Sequence, residues 1–206
     1  SIKLDTEVSI ITEDDAGISS LYLQWDSPPG NYIVLTQFDS FSGGGEGYLH
    51  ELLEFSTPAK SVRLIFDNSP RLCEAYGYSK GELPAAIQDW QTMTGSADIL
   101  LFPTHADDEF VFFGGIIPTY AGEQGKKVQV VYLTNHTKTE PERNHELLNG
   151  LWHAGDIYYP VISDFPDIYT KSLDEAKGMY DNDKVIAFQV EQIRRFKPQY
   201  IVGHDI

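Results

Sequence analysis

The residues best suited to chemistry in this 206-residue chain stand together between positions 98 and 110. An apolar run, Ile99-Leu100-Leu101-Phe102, reads as a buried strand. After Pro103-Thr104 it breaks into His105-Ala106-Asp107-Asp108-Glu109. Ending a buried strand in a histidine and three consecutive acids is costly unless the charges meet water, hydrogen-bond donors or a metal. In an open α/β sheet the carboxyl end of a strand is where ligands bind. One reading has His105 and Asp108 holding a divalent metal, zinc foremost, with Asp107 as general base. The other is an acidic loop or helix start, where carboxylates meet the positive end of the helix dipole. The first reading has a consistent chemistry. Hydrolytic zinc takes three protein ligands and leaves a position for water. A neighbouring carboxylate can take a proton from that water and return it to a leaving amine.

The elements that must position these residues follow from patterning. Up to about Trp90 the chain carries short apolar or alternating runs at 8–11, 20–25, 32–36, 48–55, 61–66 and 73–78. Turn-forming stretches rich in Asp, Asn, Pro and Gly separate them, among them Asp26-Ser27-Pro28-Pro29-Gly30 and Ser42-Gly43-Gly44-Gly45. Short strands at this spacing predict an all-β sandwich or jelly roll over residues 1–92. Tyr22, Trp25, Phe38, Phe41 and Tyr48 are either core or ligand-facing aromatics, with core the better expectation in strands. The glycine run reads as a flexible turn. From 96 to 206 the texture becomes alternating strand and helix: strands at 99–102, 128–134, 157–161 and 200–203, helices at 112–123, 141–154 and 183–196. That alternation predicts an α/β domain with a mostly parallel, Rossmann-like sheet.

Composition narrows the function classes. The net charge is −16, and both parts share it: 5 basic and 14 acidic residues precede Gly95, and 10 and 17 follow. No basic stripe is available for phosphates, which argues against nucleic-acid binding. No apolar run approaches the roughly 20 residues of a membrane-spanning helix. Cys73 is the single cysteine, so no internal disulfide can form, and it reads as a small core residue. The chain opens on Ser1-Ile2-Lys3 without Met, which suits a processed or trimmed terminus. The first strand is not followed by Gly-x-Gly-x-x-Gly, which weakens a nucleotide-binding reading.

The segment from Asp98 onward resembles the PIG-L/LmbE family of zinc-dependent N-acetylglucosaminyl deacetylases. The resemblance rests on His105-Ala106-Asp107-Asp108-Glu109 after a first strand, then Gly114-Gly115, the strand at 128–134, Arg143-x-x-Glu146, and Phe165-Pro166-Asp167. The family motif has proline where Ala106 stands, a change that alters turn stiffness and removes no ligand. The resemblance implies His105 and Asp108 as ligands of zinc or another divalent metal, and Asp107 as the catalytic base. It implies Arg143 and Asp167 as contacts for the substrate, with Asn135 lining the pocket. Arg143 has an alternative as a helix-surface partner of Glu146. The family takes its third metal ligand from a downstream His-x-x-His segment that this sequence does not contain. His204, at the end of the strand at 200–203, is the candidate substitute. If His204 does not serve, the 206-residue chain is an incomplete fragment with weak zinc binding and little hydrolysis.

The first part resembles galactose-binding-like β-sandwich modules, through Arg71-Leu72-Cys73-Glu74-Ala75-Tyr76-Gly77, Gly81-Glu82-Leu83-Pro84 and Gln88-Asp89-Trp90. Together the two resemblances imply a hydrolase that removes acetyl from an N-acetylated sugar or glycan. They favour a secreted or bacterial cell-surface location over the cytoplasm. The rival is a carbohydrate-binding protein whose deacetylase-like part lacks a complete metal site.

Overall fold

Alternating apolar and polar residues build the first half of the chain in the computed structural model, which describes residues 1–81, 83–136, 140 and 142–204. The chain divides into two compact units, Ser1–Trp90 and Gln91–Ile206.

The first unit holds two four-stranded antiparallel sheets. One runs β1 (Ile2–Lys3), β8 (Arg71–Tyr78), β3 (Ile18–Trp25), β6 (His50–Ala59). The other runs β2 (Glu7–Ile11), β7 (Ser61–Phe66), β4 (Tyr32–Leu35), β5 (Ser40–Gly43). Side chains of both sheets share one apolar cluster, with Leu21, Leu23 and Leu53 from the first and Val34, Val62 and Leu64 from the second. Alternation does this: Val62, Leu64 and Phe66 turn inward along β7 while Arg63 turns out. Tyr22 and Trp25 are core residues, and Trp25 packs edge-on against Tyr32 and Phe66 with centroids 5.6 and 5.8 Å away. Phe41 is half-buried against the same cluster, and Phe38 is exposed. The glycine run is only partly a turn. Gly43 ends β5 under the Tyr32 ring, where a Cβ would stand 2.4 Å from Cζ. Glu51 binds this corner together, accepting from the Tyr32 hydroxyl (2.6 Å) and the Gly44 N–H (2.7 Å).

The second unit contains a four-stranded parallel sheet in the order β11 (Val161–Ile162), β10 (Val128–Tyr132), β9 (Ile99–Phe102), β12 (Tyr200–Gly203). The first strand of the sheet is thus flanked by the second and the last. The chain steps from β9 to β10 and β11 on one side and returns to β12 on the other; in open α/β sheets ligands bind outside the carboxyl ends of the strands. Every residue of β9 and β10 is buried, as expected for strands covered on both faces. One face packs Leu100, Phe102 and Val131 with Phe196.

The helices differ from the sequence pattern in instructive ways. The helix expected over 112–123 is a π-helical stretch confined to Ile117–Glu123, and a short α1 (Asp108–Val111) precedes it where none was expected. Gly114 sits at the break, where a Cβ would meet the Phe110 carbonyl at 2.5 Å. α2 (Glu142–His153) buries Asn144, Leu147, Leu148 and Leu151 along one face. The expected strand at 157–161 shrinks to β11, with Tyr158 bridging Gln91 instead. α3 (Leu173–Met179) was not foreseen, because it buries no side chain. Its signal is a capping pair, with the Ser172 hydroxyl accepting from the Glu175 N–H and the Glu175 carboxylate accepting from the Lys171 N–H. α4 (Asn182–Phe196) is capped by Asp181, which accepts from the Lys184 N–H. Among the described residues no helix is long and apolar enough to cross a membrane.

The π-helical stretch crosses the end of α2 at two glycines. Gly155 has φ +93°, and a Cβ there would lie 2.5 Å from the Gly122 Cα. Gly155→Ala therefore combines a left-handed backbone with a backbone clash, and it is expected to lower stability by about 1–3 kcal/mol. The midpoint of urea unfolding checks this, and an unchanged midpoint contradicts it.

Candidate active site

The turn after β9 is built around one buried carboxylate. Asp108 is 5 % exposed. Its Oδ2 accepts the N–H groups of Thr104 and His105, both at 2.9 Å, and His204 Nε2 lies 3.0 Å away. Burial pushes this carboxyl up, but the hydrogen bonds from His105, His204 and Thr104 outweigh it and hold the group below the ordinary carboxylate range. Sheet register brings His204 here: Gly203 pairs with Phe102, so the residue after β12 emerges beside the turn after β9. The His204 ring rests on Phe113, centroids 4.8 Å apart.

Four other sequence-predicted residues join this cluster. His105 Nδ1 is 3.5 Å from the same Asp108 oxygen, and its Nε2 is 3.3 Å from Asp167 Oδ1. Asp107 is exposed, and its Oδ2 receives Arg143 Nη2 at 3.0 Å. Arg143 Nη2 also donates to the Ala106 carbonyl, and Nε is 3.8 Å from Glu140. Arg143 thus turns toward the acidic turn. Asn135 stands beside the cluster but is committed to backbone: its N–H donates to the Phe165 carbonyl (2.8 Å) and its Nδ2 to the Ser163 carbonyl (3.0 Å). These bonds, with the Tyr180 hydroxyl donating to the Pro166 carbonyl and accepting from the Ile168 N–H, hold the loop that carries Asp167.

Two residues carry more than the sequence suggested. His136 is buried with Nδ1 3.6 Å from Asp167 Oδ2 and Nε2 3.5 Å from the Ala106 nitrogen. Burial lowers its pKa, partly offset by Asp167. Nε2 accepts the Ala106 N–H, which leaves Nδ1 as the donor on the side of Asp167. Its signal was its place two residues beyond Thr134, in the strand-tip loop. Glu109 is 1 % exposed and accepts the Asp107 N–H at 3.0 Å. Burial raises its pKa, and that bond lowers it in part. Asp107 itself has φ +120°, one of the two non-glycine positive values among the described residues. Such a conformation persists only where the surroundings over-determine it. Here Glu109 holds its N–H, while the Asp107 carbonyl accepts from Phe110 and Val111, both at 2.9 Å.

The donor set suits zinc by type: two imidazoles and a carboxylate. Ligand atoms of a tetrahedral zinc lie about 3.3 Å apart. The two spacings at Asp108 Oδ2, 3.5 Å to His105 and 3.0 Å to His204, fall on either side of that. Among the described residues, no group of three or more His, Cys, Asp or Glu side chains is disposed to hold a metal ion as the side chains stand. Beside the cluster lies a cavity of about 850 Å³, into whose wall His105 and Asp167 project. A smaller cavity of about 280 Å³ in the first unit is bordered by Tyr48, Glu51 and Trp90.

No family model matches the chain. No curated protein matches it either. Two solved structures are similar at a low level. The flavohem-like FAD/NAD-binding domain of nitric oxide dioxygenase from Vibrio cholerae shares 12 % identity over 98 % of this chain and 95 % of its own, with a TM-score of 0.25. A family two carbohydrate esterase from Cellvibrio japonicus shares 10 % identity over 96 % of this chain and 78 % of its own, with a TM-score of 0.23. At these scores neither bears on the fold or the function.

Below the turn, Asp156 is fully buried and accepts from the Tyr158 N–H at 3.0 Å. Burial raises its pKa to about 8. The folded state therefore holds a proton that the unfolded chain releases near pH 4. The stabilisation is complete below pH 4 and is lost as pH rises toward 8. Asp156→Asn should gain stability relative to the parent over that window and hold the gain above it. Urea unfolding of both proteins at pH 4, 6 and 8.5 reads this, and a constant difference contradicts it.

Proposed function

We propose that the second unit, with its Rossmann-like sheet, is a zinc-dependent deacetylase of PIG-L/LmbE type acting on an N-acetylated amino sugar. We propose that the first unit is a galactose-binding-like β-sandwich. The supporting observation is the approach of His105 and His204 to one Asp108 oxygen at the carboxyl ends of β9 and β12, with Asp107 on the same turn. His105, Asp108 and His204 would hold the metal. Zinc, when bound, polarises an acetamide carbonyl and acidifies a water.

The remaining residues do the positioning and the proton transfer. Asp107 accepts the proton of the attacking water at a carboxylate oxygen and returns it to the amine nitrogen as acetate leaves. Arg143, 3.0 Å from Asp107 Oδ2, fixes the direction of the carboxylate. Glu109 fixes the backbone from which that carboxylate projects. Asp167 accepts from sugar hydroxyls, and His136 orients it from behind. The second reading, a carbohydrate-binding protein without a working metal site, draws on the absence of a metal-holding group of three among the described residues.

Zinc content separates the two. After equilibration with zinc and desalting, the parent chain should retain about one ion. His105→Ala, Asp108→Ala and His204→Ala should each lose most of it. Asp107→Asn should keep the metal while acetate release from N-acetylglucosamine conjugates falls about 10²–10⁴-fold. If neither His105→Ala nor Asp108→Ala alters zinc content, the deacetylase reading fails and the binding reading stands.

A further inference from the structure

The cavity beside the cluster is larger and more apolar than an acetamido sugar requires. At about 850 Å³ it lies in the size range of pockets for drug-sized ligands. Leu133, Phe165, Ile168 and Val185 form much of its wall. At its rim Tyr169 is 85 % and Leu173 66 % exposed. Two large side chains left in water beside a preformed apolar wall mark a surface that a ligand covers. Two of the hydroxyls in the wall are committed to backbone. The Thr134 Oγ1 proton goes to the Thr104 carbonyl at 2.7 Å, and the Tyr180 hydroxyl both donates to and accepts from backbone.

The cavity is also placed asymmetrically. His105 and Asp167 line it, whereas Asp107, Asp108 and His204 do not. The acyl carbon belongs beside Asp107, and the sugar hydroxyls belong at Asp167. What enters the cavity past Asp167 is therefore a substituent carried by the sugar, and the anomeric carbon, bonded to the carbon that bears the acetamide, is where a conjugate is attached. We infer that the substrate carries an apolar aglycone, an aryl or alkyl group on the anomeric carbon, and that this cavity binds it. The inference rests on the deacetylase reading for the placement of the sugar.

The test compares methyl and 4-nitrophenyl 2-acetamido-2-deoxyglucosides, which share the sugar and differ in the aglycone. Binding is measured by NMR titration of the zinc-equilibrated chain, and acetate release is measured in parallel. Burying the aryl ring should tighten binding of the nitrophenyl glycoside about ten-fold or more. The double variant Tyr169→Ser, Leu173→Gln changes only exposed side chains and should remove most of that advantage while leaving the methyl glycoside unaffected. Equal binding of the two glycosides, or binding of neither, overturns the inference. So does an aryl advantage that survives in the variant. If lengthening the N-acyl group on the methyl glycoside supplies the gain instead, the cavity holds the acyl chain and the inference is wrong. Acetate released from neither glycoside, with the variant-sensitive aryl preference intact, sinks the deacetylase reading and leaves the apolar cavity standing. Acetate released without an aryl preference does the reverse.

Discussion

The Asp108 carboxylate, buried at the end of a parallel strand, is the constraint around which the second unit is arranged. An ionised group that is 5 % exposed must be compensated on all sides. Two backbone N–H groups of the turn and the imidazole of His204 do so. The first two require the tight turn at Thr104-His105. The third requires β12 to pair with β9 in the register that sets Gly203 beside Phe102. Strand order and turn geometry are in this sense conditions for keeping one charge out of water.

Three consecutive acids then separate into three roles by environment alone. Asp107 faces solvent and Arg143. Asp108 is buried and held ionised by donors. Glu109 is buried with its pKa raised, and it serves the backbone of Asp107. Burial acts to raise the pKa of both inner carboxyls, and the supply of donors decides which of them ends below its ordinary value. The strained φ of Asp107 belongs to this division, since the carboxylate of residue 107 points outward only because the chain reverses between two neighbours that point in.

The wall opposite the turn is assembled differently. The loop that carries Asp167 is a run of backbone bonds to Asn135 and Tyr180, with Ser163 Oγ donating to the Leu133 carbonyl. The helix beyond it, α3, contributes no core residue. Such a segment is ordered by hydrogen bonds at its ends, and little apolar burial secures its middle. That leaves apolar side chains free to face a ligand.

Local pattern was enough for much of this. Alternation located β2, β3, β4, β6, β7 and β8, and the continuous apolar runs located β9 and β10. Chemical type and order singled out His105, Asp107, Asp108, Arg143 and Asp167. Elements that bury little were beyond its reach: β1 is two exposed residues, and α3 buries nothing. The break between α1 and the π-helical stretch was hidden because its cause, the carbonyl of Phe110 against Gly114, is a close backbone approach that no hydrophobic period records. By itself, then, the sequence determined most of the strands, with β1 and β5 missed and β11 displaced, and which residue types meet at the end of β9, since periodicity and residue chemistry are local properties. Only the tertiary structure decided that His204 shares the Asp108 oxygen, that His136 stands behind Asp167, and that Glu109 turns inward. Those contacts join residues up to 96 positions apart, and strand order and register, which are collective outcomes of packing, set them.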